Sequence, residues 1–255
     1  MATDYQAKLA ELYSDAGIAS RVKRGRELLA TYGAWLRRYH GGMPVGAFAA
    51  IMQMESDGKM GAPGDVSLGE VGFFQVTSSF PPKVGLPAAS RYDPETNVFL
   101  GGLEYQVEAA KAAKQWPIVQ KGSADQWKLA RLSFAIGWGG TRDFVSRALA
   151  ATSASSGSPY ERVKAYANQT GGIAYGSQSA AKVWFRVHVV DYNFMVGQKI
   201  EPGGYGPPQL TPPPAAYPAY TFPPDLLPFT GKPGPPIGIL LLAGAAAAYL
   251  LARYS

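Results

Sequence analysis

Two short stretches decide how this chain is read: Met52-Gln53-Met54-Glu55-Ser56-Asp57-Gly58, and further on Gly69-Glu70-Val71-Gly72-Phe73-Phe74-Gln75-Val76. Upstream of the first, Val45, Phe48, Met52 and Glu55 recur at spacings of three and four, so they share one face of a helix over 45–55. Glu55 ends an otherwise apolar stripe. A carboxyl there loses hydration, which favours its protonated form, the state a general acid needs. Ser56 and Gly58 mark the end of the helix. Alone, this stretch also reads as an ordinary glutamate at a fraying helix end, and the second stretch shifts the weight. Gly69 and Gly72 let the backbone turn and approach a ligand closely, and Gln75 offers both a donor and an acceptor.

Working outward, the first two hundred residues carry helical periodicity and almost all the charge. The pattern predicts helices over 4–12, 18–39, 45–55, 97–116, 125–136 and 160–168. Residues 182–196 are apolar and β-branched, and stay ambiguous between helix and strand. Glycines at 137–140 and 171–172 read as joints. The expected class is mainly α, with an N-terminal helical region at 1–40 and a principal domain at 41–201.

In order along the chain, Glu55-Ser56, Gly69-x-x-Gly72-x-x-Gln75-Val76, Asp93-Pro94-x-x-Asn97 with Gly101, Gly102 and Tyr105, Phe134-Ala135-x-Gly137, and Tyr160 to Tyr166 resemble the lytic transglycosylase family with the lysozyme-like fold. The resemblance covers about residues 40–170. Two positions depart from the family pattern: Ala135 stands where the family has Asn, and Tyr105 lies one place late. The interval from Glu55 to Gln75 is also longer than usual, which a surface loop containing Pro63 and Gly64 can absorb. The resemblance implies cleavage of the β-1,4 bond between N-acetylmuramic acid and N-acetylglucosamine in peptidoglycan. Glu55 would be the single acid/base, and no metal or cofactor would be needed. It further implies substrate contacts at Ser56, Gly72, Gln75, Phe134, Gly137 and Tyr166. Trp138 and Tyr92 are candidate sugar-stacking rings, with a core role as the alternative for Trp138. A second carboxylate would turn the enzyme into a goose-type lysozyme hydrolase. Glu70, between the two motif glycines, and Asp57, at the helix end, are the candidates, with Asp65 also near in the chain.

The composition agrees with this and excludes other classes. There is no cysteine, which removes disulfide scaffolds and thiolate metal sites, and two histidines cannot build a multi-histidine zinc centre. Net charge is +6, suited to an anionic partner without selecting one. The basic cluster Arg21-Val-Lys23-Arg24-Gly-Arg26 lacks the interleaved aromatics of a single-strand binder, and no nucleic-acid partner is expected.

The C-terminal quarter has a different character. Most of the 21 prolines fall in 202–236, a Pro/Gly-rich segment that reads as an extended spacer. Residues 237–252 then run without a charge. As a helix they would span about 24 Å, against a hydrocarbon core of about 30 Å. They are the expected transmembrane anchor and lipid contact. The N-terminus carries no apolar signal segment. A wall-cleaving domain without a signal, anchored at its C-terminus, fits a phage virion, in an internal membrane or the penetration apparatus, with other virion proteins as further partners. The alternative is a membrane-anchored wall-binding or structural virion protein that has lost catalysis.

Overall fold

Polar side chains start most of the helices. In the computed structural model, which describes residues 4–203, Asp4, Ser14, Asp93, Ser123, Ser158 and Ser179 each accept a backbone N–H two or three residues ahead. They begin α1 (Tyr5–Tyr13), α2 (Asp15–Tyr39), α5 (Pro94–Gln115), α6 (Ala124–Ile136), α8 (Pro159–Thr170) and α9 (Ala180–Ile200). Pro94 and Pro159 occupy first-turn positions, where a missing N–H costs nothing. The remaining helices are α3 (Val45–Ser56), the single turn α4 (Phe80–Lys83) and α7 (Trp138–Ala151). Two 3₁₀ turns, Ala88–Tyr92 and Ala154–Ser156, complete the order. The described residues contain no strand, only isolated bridges at Val71–Val76 and Tyr175–Gln178. The chain is mainly α.

The organising element is α3. Every residue from Gly46 to Gln53 is buried, so the apolar stripe of the sequence is one side of a helix enclosed all round. It packs chiefly on α9 and α2. The crossing with α9 is backbone against backbone. A Cβ on Gly46 would lie 2.1 Å from the Gly197 carbonyl oxygen, and one on Gly197 would lie 2.5 Å from the Ala47 Cα. Glycine at both positions sets the distance between the two helices. Phe48 stacks on Phe74 at 4.3 Å, and Tyr105 of α5 meets both rings edge-on. Leu28, Leu36 and Tyr39 of α2 enter this same core.

The ambiguous segment 182–196 is helical, within α9. Buried β-branched residues at Val183, Val187 and Val190 follow helical spacing there. The expected glycine joint at 137–140 is confined to Gly137 (φ 81°), which separates α6 from α7, and Trp138–Gly140 already belong to α7. Tyr175 explains its glycines: a Cβ on Gly139 would lie 2.2 Å from the Tyr175 hydroxyl, and one on Gly140 would lie 2.7 Å from its ring. They make room for a side chain and do not break the run. The spacer at 202–236 and the apolar run at 237–252 lie outside the described residues, except for Pro202 and Gly203. No helix among the described residues is long and apolar enough to cross a membrane.

Candidate active site

The turn after α3 fixes Glu55. Asp57 takes a left-handed conformation (φ 53°) that ends the helix, and its N–H bonds back to the Gln53 carbonyl. Ser56 is buried. Its Oγ lies 3.1 Å from the Met52 carbonyl and 2.9 Å from the Phe73 carbonyl, and it accepts the Gly58 N–H. This hydroxyl therefore ties the end of α3 to the Gly72–Gln75 turn. Expected as a substrate contact, Ser56 makes only internal bonds.

The turn itself closes on the Val71–Val76 bridge. Gly72 (φ 83°) passes so close to Asn97 that a Cβ would lie 2.2 Å from its Nδ2. Asn97 is fully buried and holds the turn from beneath. Its Oδ1 accepts the Phe74 N–H, and its Nδ2 donates to the carbonyls of Val71 and Arg91. Gly72, the Ser56 hydroxyl and Asn97 thus shape the ground beside Glu55. Gln75 is buried with φ 51°. Its Nε2 donates to the Gly72 carbonyl, while its Oε1 is enclosed without a hydrogen bond, close under Gly64. The 59–70 loop therefore packs on Gln75. Expected to reach a sugar, this amide is covered here.

Glu55 has a partner that sequence reading missed. Arg131 of α6, 1% exposed, donates through Nη2 to the Glu55 carboxylate, whose side chain is 16% exposed. Nη1 of the same guanidinium donates to the Tyr105 hydroxyl at 3.2 Å. The guanidinium carbon sits 5.5 Å from the centre of the Phe134 ring, and that ring lies 5.0 Å from Tyr105. Burial works against the charge on Arg131. The neighbouring Glu55 and Tyr105 more than offset it, and the net shift is upward. Glu55 was expected to be a carboxyl dehydrated by apolar neighbours alone. It is a paired one instead.

The charges around this pair balance. Glu70 is half-buried, and one carboxylate oxygen accepts the Asp65 N–H at 2.9 Å. Burial raises its pKa and the Asp65 N–H lowers it, while the negative charges of Glu55 and Asp65 add to the rise. Arg186 of α9, partly buried, senses Arg131, Glu55 and Glu70. Two carboxylates and two guanidinia therefore lie within electrostatic reach of one another. On the other flank Glu104 is pushed up to about 8, by burial first and then by Glu108 one turn along α5. Glu108 in turn bonds Ser133 and Lys111.

Asp57 points elsewhere. It pairs with Arg24 of α2 at 3.1 Å and with Lys59 at 3.5 Å. Arg24 also donates to the Asp57 carbonyl, and Arg26 donates to the Lys199 carbonyl, so part of the basic cluster braces the fold. Asp65 is exposed and bonds Ser67. Tyr92 is exposed with Arg91 over its ring at 4.6 Å. Gly137 (φ 81°) is the exposed hinge between α6 and α7. Trp138 packs on Trp116 at 5.7 Å and Tyr166 on Phe144 at 5.5 Å, both partly buried. The structure therefore gathers Glu55, Ser56, Glu70, Gly72, Gln75 and Phe134 at one place and ties Trp138 and Tyr166 to the packing around α7. Among the described residues no group of His, Cys, Asp and Glu side chains is arranged to hold a metal ion.

Arg131 and Arg186 left a faint trace in the sequence. Each is a lone cation in an apolar helical run, Leu129-Ala130-Arg131-Leu132 and Trp184-Phe185-Arg186-Val187. A charge in such a position needs a partner. No family model, no curated protein and no solved structure matches this chain.

Proposed function

We propose that the chain is a peptidoglycan lytic transglycosylase of lysozyme-like type, with Glu55 as its acid/base. The observation that supports this reading is the convergence on one helix end of residues far apart in sequence. Ser56 bonds the Phe73 carbonyl, Asn97 holds Gly72 and Phe74, and Arg131 with Tyr105 orients the Glu55 carboxylate. In the proposed reaction Glu55 gives a proton to the glycosidic oxygen as the bond to the muramic C1 breaks. The carboxylate so formed takes the proton of the muramic 6-hydroxyl as its oxygen bonds C1. The product is a 1,6-anhydro ring, and no water is consumed. We further propose that the domain acts from a phage virion during wall penetration, held to a membrane through residues 237–252.

One observation favours a second reading. Glu70 is half-buried, lies within electrostatic reach of Glu55, and is shifted upward. A second carboxyl near the first is the equipment of a hydrolase that activates water. The full-length protein, its Glu55→Gln form and its Glu70→Gln form would be incubated with peptidoglycan, and the released muropeptides weighed by mass spectrometry. Anhydro ends lost only with Glu55→Gln support the transglycosylase. Reducing ends lost with either variant support the hydrolase. Absence of products from several wall types, with the wall still bound, would refute both and leave a wall-binding structural protein.

A further inference from the structure

Residues 61–69 lie against Gln75 and Glu70 and are held there at few points. Gly64 is the seat: a Cβ on it would lie 2.1 Å from Gln75 Oε1 and 2.7 Å from the Glu70 carbonyl oxygen. The Asp65 N–H donates to the Glu70 carboxylate at 2.9 Å, and the Asp65 carbonyl accepts the Glu70 N–H at 3.1 Å. The Leu68 carbonyl accepts the Ser78 N–H at 3.3 Å and the Ser78 hydroxyl at 3.4 Å. Among the described residues, the other hydrogen bonds of 62–69 are local, such as Leu68 N–H to the Asp65 carbonyl. The outer side faces water, with Val66 93% and Leu68 52% exposed. A glycine stands at each end. Gly61 has open space around it, and Gly69 takes φ 62°.

The closed position leaves Gln75 poorly served. Its Nε2 donates to the Gly72 carbonyl, but its Oε1 is enclosed without a partner. An enclosed acceptor with no donor is disfavoured, and lifting the segment returns it to water or to an N–H or O–H of a ligand. Glu70 and Gln75 bracket the turn that Ser56 ties to the end of α3, beside Glu55. We propose that residues 61–69 form a lid, swinging on Gly61 and Gly69, that must lift from Gln75 and Glu70 before a ligand can be seated there. That the ligand is a glycan rests on the function proposed above; the lid does not.

Two like substitutions separate a lid from a fixed loop. Neither Gly61 nor Gly64 has a positive φ, so alanine suits the backbone at both. Gly64→Ala drives a Cβ into Gln75 and Glu70 only in the closed position, and should open the lid. Gly61→Ala meets no atom and only restricts the hinge, which favours the ordered, closed position. Amide hydrogen exchange, read by NMR on the full-length protein without ligand, reports the lid at the N–H groups of Asp65, Glu70 and Ser78. Gly64→Ala should speed their exchange about tenfold or more. Gly61→Ala should slow it about two- to fivefold. Both should leave the amides of α3 as in the wild type. Binding of a muramyl tetrasaccharide is then measured by calorimetry, with Glu55→Gln added to every form to prevent turnover. Affinity should follow the open fraction, tighter with Gly64→Ala and about two- to fivefold weaker with Gly61→Ala. Exchange that both variants shift in one direction, or binding that ignores an opposed shift, would overturn the lid as a gate. Exchange shifted as expected with no glycan bound by any form upholds the lid and sinks the glycan reading. Glycan binding with exchange unmoved by either variant sinks the lid and spares that reading.

Discussion

Replacing Arg131 with methionine removes a buried guanidinium, 1% exposed, and strands the Glu55 carboxylate it holds. Breaking a buried ion pair from one side costs about 3–5 kcal/mol. Glu55 retains some exposure, so water can hydrate the orphaned carboxylate and the lower end of that range applies. The lost bond to Tyr105 adds about 1 kcal/mol, and the lost contact over Phe134 about 0.5 kcal/mol. Two gains oppose this. Methionine fills much of the volume, and Arg131 Nε, buried without a hydrogen-bond partner, is removed. The net expectation is a loss of about 3 kcal/mol. For a domain of this size that is a fall in Tm of roughly 6–12 °C. The assay is a double-mutant cycle in urea with Arg131→Met, Glu55→Gln and the pair. Because the amide introduced by Glu55→Gln carries no charge to strand, the double variant should recover about 2 kcal/mol of the summed losses. If Arg131→Met lies within about 0.5 kcal/mol of wild type, or the two losses simply add within that margin, then the pair does not organise the site as argued.

Other outcomes follow from the same geometry. Asn97→Ala removes three bonds beneath the motif turn and should cost about 3 kcal/mol by urea denaturation. Gly46→Ala drives a Cβ into the Gly197 carbonyl, a backbone atom that cannot rotate away, and should cost about 3 kcal/mol and lower Tm. Glu104 is held near pKa 8, above its unfolded value, so the native state binds the extra proton between those limits. Its contribution is fully present at pH 4 and is lost as pH rises through 8; Glu104→Gln should flatten that fall in Tm, as thermal melts across pH 4–9 would show.

Most helices were legible because their signals are local. The expected helices over 97–116 and 160–168 lie within or along the observed α5 and α8, which begin slightly earlier, at Pro94 and Pro159. The α7 helix was missed because Gly139 and Gly140 look like breakers, and only the distant Tyr175 ring explains them. At the site, Glu55, Gly72 and Phe134, singled out in the sequence, lie near one another. The Glu55–Arg131 pair spans 76 residues, and no periodicity encodes which buried arginine meets which carboxylate. The 59–70 segment is the surface loop its Pro63 and Gly64 suggested, but its contacts were not legible. Gly64 sits on Gln75 and the Asp65 N–H donates to Glu70, contacts that no local pattern announces.

These long-range contacts bear on which carboxyl supplies the proton. Arg131 engages the Glu55 carboxylate in a buried pair, whereas at Glu70 burial and the charge of Glu55 both favour the neutral form. A single-carboxyl reaction draws its proton from Glu55 beside that guanidinium, and a two-carboxyl reaction can draw it from Glu70. The pH dependence of kcat/KM on soluble peptidoglycan separates the two. If Glu70 is the acid, its raised pKa sets the alkaline limb, and Glu70→Gln should remove that limb and lower the rate by about a hundredfold or more. If Glu55 works alone, Glu70→Gln keeps the limb and changes the rate by only a few-fold, through the loss of one nearby charge. In that case Arg131→Lys should lower the rate, because the ammonium cannot hold Glu55 and the Tyr105 hydroxyl in the fixed fork that the guanidinium provides.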